Sequence, residues 1–152
     1  MEIELRAATP DDLPAIRALM HGERVNPFGI DWRNFVVAAD RAGLAGCVQL
    51  RPARPAGLEL GTLIVRPDLR RRGLGTRLVA AALERAGPLA VFAVTATSSA
   101  GFLGRFGFRT VGHRSAPASV RRNRLLGQAG SLVTLATGRR PRRLAILCRA
   151  AP

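Results

Sequence analysis

The fold of this chain is decided by residues 58–86, which read LELGTLIVRPDLRRRGLGTRLVAAALERA. A short apolar run ends at Val65, a Pro-Asp turn follows, and the segment RRRGLG precedes apolar residues at helical spacing. This order predicts a strand, a turn and a helix whose N-terminus lies just past the end of the strand. Backbone N–H groups and the positive end of the helix dipole then converge between flanking arginines, and such a point binds a phosphorylated ligand.

Two well-known phosphate-binding motifs do not fit this segment. A dinucleotide-binding fingerprint requires a third glycine where Leu78 stands, and a Walker loop requires Gly-Lys-Ser/Thr, whereas the chain contains no lysine. The pattern that remains is Arg-x-x-Gly-x-Gly, from Arg70 to Gly75.

This pattern, placed after a strand and at the start of a helix, resembles the acyl-CoA-binding motif of the GNAT acyltransferase superfamily. Residues 98–108, SSAGFLGRFGF, resemble the short helix closed by Gly-Phe that follows the motif in that family, and residues 9–12, TPDD, resemble a common GNAT opening. The resemblance covers residues 3–111. It implies a single α/β domain over residues 1–152, with a mixed, mostly antiparallel sheet flanked by helices and two parallel central strands that splay to admit acyl-CoA.

Hydrophobic patterning predicts the other elements of the chain. The predicted strands are residues 3–7, 35–39, 44–50, 58–65, 89–95, 108–111 and 144–149. The predicted helices are residues 10–23 with Thr9 as N-cap, 76–86, and a basic helix over 119–130; the helix over 98–108 is implied by the GNAT resemblance. Residues 131–137 fit either a helix or a strand.

Charge is distributed unevenly along the chain. The formal net charge is +14, all 24 basic residues are arginine, and all ten acidic residues lie at or before Glu84. From Arg85 onward there are 12 arginines and no carboxylate. A basic half of this kind attracts polyanions, acidic protein faces or the phosphates of a cofactor, although a solvated basic face is the default interpretation.

Length and composition favour one core and exclude several other classes of protein. A chain of 152 residues with 47% hydrophobic residues can form a single core, and its apolar runs are too short to span a membrane. The N-terminus has acidic residues where a signal peptide would be basic, so we expect a cytoplasmic protein without a membrane partner. Cys47 and Cys148 are expected to be reduced, packed thiols, and His21 and His113 are too few and too far apart to suggest a metal site.

The GNAT resemblance implies acetyl-CoA as the acyl donor and identifies the residues that hold it. Backbone groups of Leu63, Ile64 and Val65 would pair with the pantetheine, and the turn that follows would hold the pyrophosphate. The residues predicted for that turn are Arg70, Arg71, Arg72, Gly73, Leu74, Gly75, Thr76 and Arg77. The alternative interpretation is a solvated run of charges before an ordinary helix.

Glu59 is the leading candidate for a catalytic base. It precedes Gly73 by 14 residues, the separation at which several protein-acetylating GNAT enzymes place a catalytic glutamate. An amine with a pKa of about 10.4 is almost wholly protonated at neutral pH, so a carboxylate has a proton to remove. The alternative is an exposed ion pair at the start of a strand.

The chain departs from the family where a general acid is expected. Many GNAT enzymes carry a tyrosine that protonates the departing thiolate; here Leu103 occupies that place, and the chain has no tyrosine. Ala96 stands near the place of a frequent asparagine. Ser98, Ser99 or His113 are candidate substitutes, although a helix cap or a surface position is the simpler interpretation of each.

The sequence therefore predicts transfer of an acetyl group from acetyl-CoA to a primary amine on a small molecule or a protein. One alternative is a catalytically weak acyl-CoA-binding regulatory module. Another is a basic nucleic-acid-binding or ribosome-associated protein, which we do not favour because the second half is poor in residues on which bases stack. Trp32 and Phe28 would belong either to the core or to the wall of an acceptor pocket, and the sequence leaves a homodimer open.

Overall fold

The computed structural model describes residues 2–23, 25, 30–133 and 143–151 of the chain, with residues 128–133 described as backbone only. The strands are β1 (Glu4–Ala7), β2 (Phe35–Asp40), β3 (Gly43–Pro52), β4 (Leu58–Val65), β5 (Val91–Ala96), β6 (Arg109–Thr110) and β7 (Leu144–Arg149). The helices are α1 (Leu13–Gly22), α2 (Leu74–Ala86), α3 (Ala100–Gly104) and α4 (Ala118–Val133). A 3-10 turn over Pro10–Asp12 leads into α1, so the helix predicted to follow Thr9 is confirmed with a tighter first turn.

The seven strands form one sheet in the order β1-β2-β3-β4-β5-β7-β6. The pairs β1–β2, β2–β3, β5–β7 and β6–β7 are antiparallel, and β4 and β5 are parallel. A helical crossover through α2 makes this parallel pair, because parallel strands require a long connection. The predicted mixed, mostly antiparallel sheet flanked by helices is confirmed, whereas the splay between its central strands stays a prediction.

The chain divides into two compact units. The first consists of Met1–Arg51 and Leu60–Gly87, and the second of Pro52–Glu59 and Pro88–Pro152. The boundary falls within β4, whose first two residues belong to the second unit. The prediction of a single domain over residues 1–152 therefore stays a prediction.

The core of the first unit forms where α1 packs against the sheet. Ile16 and Met20, one turn apart on α1, are buried with Phe35, Val37 and Cys47. Burial raises the pKa of the Cys47 thiol to about 12, so this cysteine is held as a neutral thiol at physiological pH. Cys47 and Cys148 are both free cysteines, the first buried and the second partly buried.

A buried carboxylate holds the start of α1. The guanidinium of Arg6 donates to both carboxylate oxygens of Asp12, at 2.6 and 2.9 Å, and the backbone N–H of Thr9 donates to Asp12 Oδ2 at 2.7 Å. The hydrogen bonds from Arg6 are the main reason why the pKa of Asp12 is lowered to about 2. Because this pKa is below its unfolded value, the contribution to stability is complete above about pH 4 and is lost as the pH falls toward 2.

We therefore expect Arg6→Gln to lower the free energy of unfolding by about 1 to 2 kcal/mol at pH 7, after allowance for solvent screening. The difference from the unmodified protein should shrink below pH 4, as Asp12 becomes protonated in the unfolded chain and in the Arg6→Gln variant. Urea unfolding at pH 7 and pH 3 measures it, with Arg17→Gln on the exposed face of α1 as the control. An equal difference at both pH values would assign the effect to packing of Arg6 and not to the Asp12 charge.

A close approach between β3, β4 and α2 requires a glycine at position 46. A Cβ atom at Gly46 would lie 2.7 Å from the carbonyl oxygen of Ile64 and 3.1 Å from the Leu78 side chain. We expect Gly46→Ala to destabilise the fold by about 1 to 3 kcal/mol, because the backbone oxygen has no room to move away. Thermal unfolding measures the effect, and Gly22→Ala on α1, where a Cβ meets nothing within 4 Å, should keep the melting temperature of the unmodified protein or raise it.

The core of the second unit forms where α4 packs on β5 and β7. Val120 of α4 is completely buried with Ala53, Ala116 and Ile146. The predicted basic helix is confirmed and extends over Ala118–Val133, so Ser131–Val133 are helical, whereas 134–137 lie outside the described residues. The predicted helix over 98–108 is shorter, a 3-10 turn followed by α3, since Gly107 at φ +85° cannot continue a helix.

Candidate active site

The turn after β4 presents the N-terminus of α2. Gly73 is the N-cap of this helix at φ +80°, and Arg71 also has a positive φ, +59°. Glycine adopts this conformation without steric cost, and it leaves the N-cap without a side chain that could occupy the helix end. The backbone N–H groups of the first turn, including those of Leu74, Gly75 and Thr76, lie at the positive end of a 13-residue helix. The start of such a helix is able to accept an anion.

The four arginines of the turn have different surroundings. Arg71 and Arg72 are exposed, and neither side chain has a hydrogen-bond partner within the part of the chain that the structure describes. Arg70 is held by the protein: its Nε donates to the carbonyl of Val65 at 3.0 Å and its Nη2 to the carboxylate of Glu23. Arg77 donates to the carbonyl of Ile3 at 3.0 Å. Arg71 and Arg72 are therefore the better candidates for side-chain contacts with a phosphate.

The remaining predicted residues of this region are placed as follows. The side chain of Leu74 is buried, so only its backbone is available to a ligand, whereas Thr76 is exposed. Ile64 directs its side chain into the core of the first unit, and the carbonyl of Val65 already accepts the hydrogen bond from Arg70. Leu63 is half-buried.

An irregularity in the middle of β4 was not predicted from the sequence. Thr62 has φ +36°, a conformation that β-branched residues rarely adopt and that often marks a functional site. Its hydroxyl lies 3.4 Å from Oε1 of the buried Gln49 on β3, and Arg51 Nη1 lies 3.4 Å from the same oxygen. The neighbouring Gly61 was the available signal, because glycine inside a strand often marks a bulge.

Glu59, the second residue of β4, belongs to the second unit and is only 2% exposed. Its Oε2 accepts a hydrogen bond from Asn123 Nδ2 of α4 at 2.7 Å. The alternative of an exposed ion pair at a strand start is therefore wrong. Asn123 was not among the residues that the sequence predicted for the site, and the only signal was a lone asparagine among the arginines of RRNR.

The residue in the place of the absent tyrosine and the three candidate substitutes for it differ in burial. Leu103 is buried in α3, and Ser98, Ser99 and His113 are exposed. Trp32 is half-buried beneath the guanidinium of Arg33, at 4.9 Å from the ring centroid, while Phe28 lies outside the described residues.

The described residues contain neither a cluster of metal ligands nor a membrane-spanning helix. No group of three or more His, Cys, Asp or Glu side chains is arranged to hold a metal ion there. Nor does that part of the chain contain a helix with the length and apolar character needed to cross a membrane.

The sequence matches a known protein family. The model of an acetyltransferase (GNAT) domain matches residues 31–110, which run from just before β2 to the end of β6 and include the turn at Gly73. The chain belongs to the GNAT acetyltransferase family. No curated protein matches this GNAT chain in sequence.

Solved structures show the same fold. N-acetylglutamate synthase from Neisseria gonorrhoeae, complexed with coenzyme A and L-arginine, has a TM-score of 0.74 at 21% identity, over 98% of this chain and 33% of its own. Rv2747 from Mycobacterium tuberculosis, in complex with CoA, has a TM-score of 0.70 at 20% identity, over 98% of this chain and 99% of its own. A GNAT acetyltransferase from Staphylococcus aureus has a TM-score of 0.67 at 14% identity, over 97% of this chain and 98% of its own. This GNAT chain thus spans about a third of the gonococcal synthase.

Proposed function

We propose that this GNAT chain is an acetyl-CoA-dependent N-acetyltransferase that acts on a primary amine. The observation that carries the proposal is the glycine-opened N-terminus of α2, directly after β4, with two exposed arginines beside it. The gonococcal synthase and the mycobacterial protein, which share the fold, were both crystallised with CoA.

The local geometry fits the phosphates of a CoA ester. The first-turn N–H groups of α2 are aligned donors at the positive end of the helix dipole, which favours a negative charge. Arg71 and Arg72 add positive charge without an internal hydrogen-bond partner among the described residues. A pyrophosphate bound here exchanges hydration for fixed donors, and the high positive charge of the chain draws such an anion toward the protein.

The chain's own contribution to the chemistry is proton removal. Acetyl-CoA supplies an activated thioester, which a neutral amine attacks and an ammonium does not. Glu59 is proposed to accept the ammonium proton, directly or through a water molecule. The thiolate, whose thiol has a pKa of about 8.5, is a tolerable leaving group. The absence of a tyrosine therefore lowers the rate by about 10²- to 10⁴-fold without preventing transfer.

A second candidate function is a catalytically weak acyl-CoA-binding module. The observation in its favour is the buried Leu103, which stands where many family members carry the tyrosine that acts as general acid. Under this alternative the chain binds acetyl-CoA but releases no CoA when amines are added. The nucleic-acid alternative has no such observation in its favour. The arginine-rich segment that would serve it, residues 138–143 (GRRPRR), lies outside the described residues except for Arg143.

The location and the acceptor remain parts of the proposal. The proposed location is the cytoplasm, and the proposed acceptor is either a small molecule or a protein amine. The gonococcal synthase matches this chain over only a third of its length, so its substrate is a first compound to test and not an assignment.

Turnover with a panel of primary amines tests the proposal. The protein is incubated with acetyl-CoA and each amine, release of the CoA thiol is followed by a colorimetric thiol reagent, and the acetylated amine is identified by mass spectrometry. We expect release that depends on the amine and rises with pH as the free amine becomes more abundant. Binding of acetyl-CoA without amine-dependent release across the panel would contradict the enzyme and support the binding module.

A further inference from the structure

We propose that Asn123 of α4 is the positioning residue for the Glu59 carboxylate, so that the helix between β6 and β7 is needed for proton removal. This inference rests on the proposed function, in which Glu59 is the base. It assigns to α4 a role beyond packing, and to one side chain of that helix an effect on the reaction rate.

The contact has the geometry of a strong, directed hydrogen bond. Asn123 Nδ2 lies 2.7 Å from Glu59 Oε2, and Glu59 is only 2% exposed. Burying a carboxylate is costly unless donors compensate for the lost water, and a donor to a charged oxygen forms a shorter and stronger bond than a neutral pair. A donor held on one oxygen also fixes the rotation of the carboxyl group about its terminal bond. The orientation of Glu59 therefore depends on where α4 places Asn123.

The position of α4 does not depend on this contact. Before Asn123, the backbone N–H of Arg54 donates to the hydroxyl of Ser119 at 2.8 Å, and Val120 is completely buried. After Asn123, Nε of Arg124 donates to the carbonyl of Leu144 at 3.1 Å. Because the helix is anchored on both sides, loss of the Asn123 amide should leave the helix in place and remove only this hydrogen bond from the carboxylate.

This arrangement distinguishes a positioning role from a structural one. A residue that only stabilises the fold would change the melting temperature and would act equally whether or not position 59 carries a base. A residue that acts through Glu59 lowers kcat when the base is present and has little further effect when it is absent, since the two positions are then energetically coupled.

The test compares Asn123→Leu and Asn123→Ala, each alone and combined with Glu59→Gln. Leucine has the branched skeleton of asparagine but no donor, and alanine removes the amide without adding a charge beside the Glu59 carboxylate. Acetyl transfer is measured with acetyl-CoA and the best amine of the panel, and melting temperatures are recorded for every variant. Arg122→Gln is the matched control, because it changes an exposed position of α4 and leaves the contact with Glu59 in place.

We expect each Asn123 variant to lower kcat by about 10- to 100-fold, the loss typical of a hydrogen bond to a charged group. The KM for acetyl-CoA should stay within about twofold, and Arg122→Gln should retain kcat within about twofold. In the Glu59→Gln background, adding Asn123→Leu or Asn123→Ala should change kcat by less than about twofold.

Several results would overturn the inference. Wild-type kcat in Asn123→Ala would show that the donor is not needed, and this variant decides the question if Asn123→Leu does not fold. Equal losses from the Asn123 changes in both backgrounds would show that Asn123 does not act through Glu59. If Glu59→Gln lowers kcat but the Asn123 variants do not, the inference alone fails. If Glu59→Gln retains full activity, the proposed base fails and this inference fails with it.

Discussion

Glu59→Gln is expected to lower kcat for acetyl transfer by about 10²- to 10⁴-fold, the range that positioned general bases contribute. Glutamine keeps the size of the side chain and can still accept the hydrogen bond from Asn123, so the buried contact survives while the basic oxygen is lost. The Kd of acetyl-CoA should change little, because the base acts on the amine. Steady-state kinetics together with a binding titration measures both quantities.

The loss should shrink as the pH rises, since free amine then arrives already deprotonated. Glu84→Gln makes the same chemical change at an exposed position of α2 and should leave kcat unaltered. A pH-rate profile of Glu59→Gln that overlays the unmodified enzyme would show that Glu59 is a strand residue without a catalytic role.

Gly73→Val is expected to weaken acetyl-CoA binding by about 10- to 100-fold. Gly73 has φ +80° at the N-cap of α2, and a β-branched residue held there carries a strain of about 1 to 3 kcal/mol. The backbone relieves this strain by rotating, which misaligns the first-turn N–H groups that are proposed to hold the pyrophosphate. Each 1.4 kcal/mol lost in this way is a tenfold loss of affinity.

Gly43→Val separates strain from ligand binding. Gly43 also has a positive φ, +115°, and a Cβ there meets nothing within 4 Å, but it begins β3 at the turn from β2. It should lower the melting temperature and leave the Kd of acetyl-CoA unchanged. Equal effects of the two substitutions on Kd would remove the turn at Gly73 from the binding site.

The central part of the fold was predictable because local signals agree there. In residues 58–86 an apolar run, a Pro-Asp turn, a glycine at the helix start and helical periodicity all indicate one strand, one turn and one helix. The structure has β4, the turn and α2 in this order. Gly73 was predicted at the turn for the same reason: only its freedom at positive φ permits so abrupt a start to α2.

The candidate base was predictable in position but not in environment. The spacing of Glu59 from Gly73 can be counted along the chain, whereas its partner Asn123 is 64 residues away. A contact at this separation depends on how α4 packs on β5 and β7, and no local pattern of residues encodes it. The exposed ion pair was for this reason a reasonable but wrong alternative.

The surroundings of the arginines were also beyond local patterns. The run from Arg70 to Arg72 predicts a positively charged turn. The ion pair of Arg70 with Glu23, however, depends on where the end of α1 lies in the fold. Thr62 likewise has a positive φ in a segment for which β-propensity alone predicts a regular strand. The cofactor-binding residues therefore stay predictions, with Arg71 and Arg72 now the preferred side chains.

Thermal unfolding of the unmodified protein in a titration with acetyl-CoA tests the central claim most directly. If the turn after β4 binds acyl-CoA, ligand at about 100 times its Kd should stabilise the fold by about 2.7 kcal/mol, which raises the melting temperature by about 5 to 10 °C in a chain of this size. CoA should act in the same direction. A melting temperature that does not change with either ligand up to millimolar concentration would contradict acyl-CoA binding and the acetyltransferase with it.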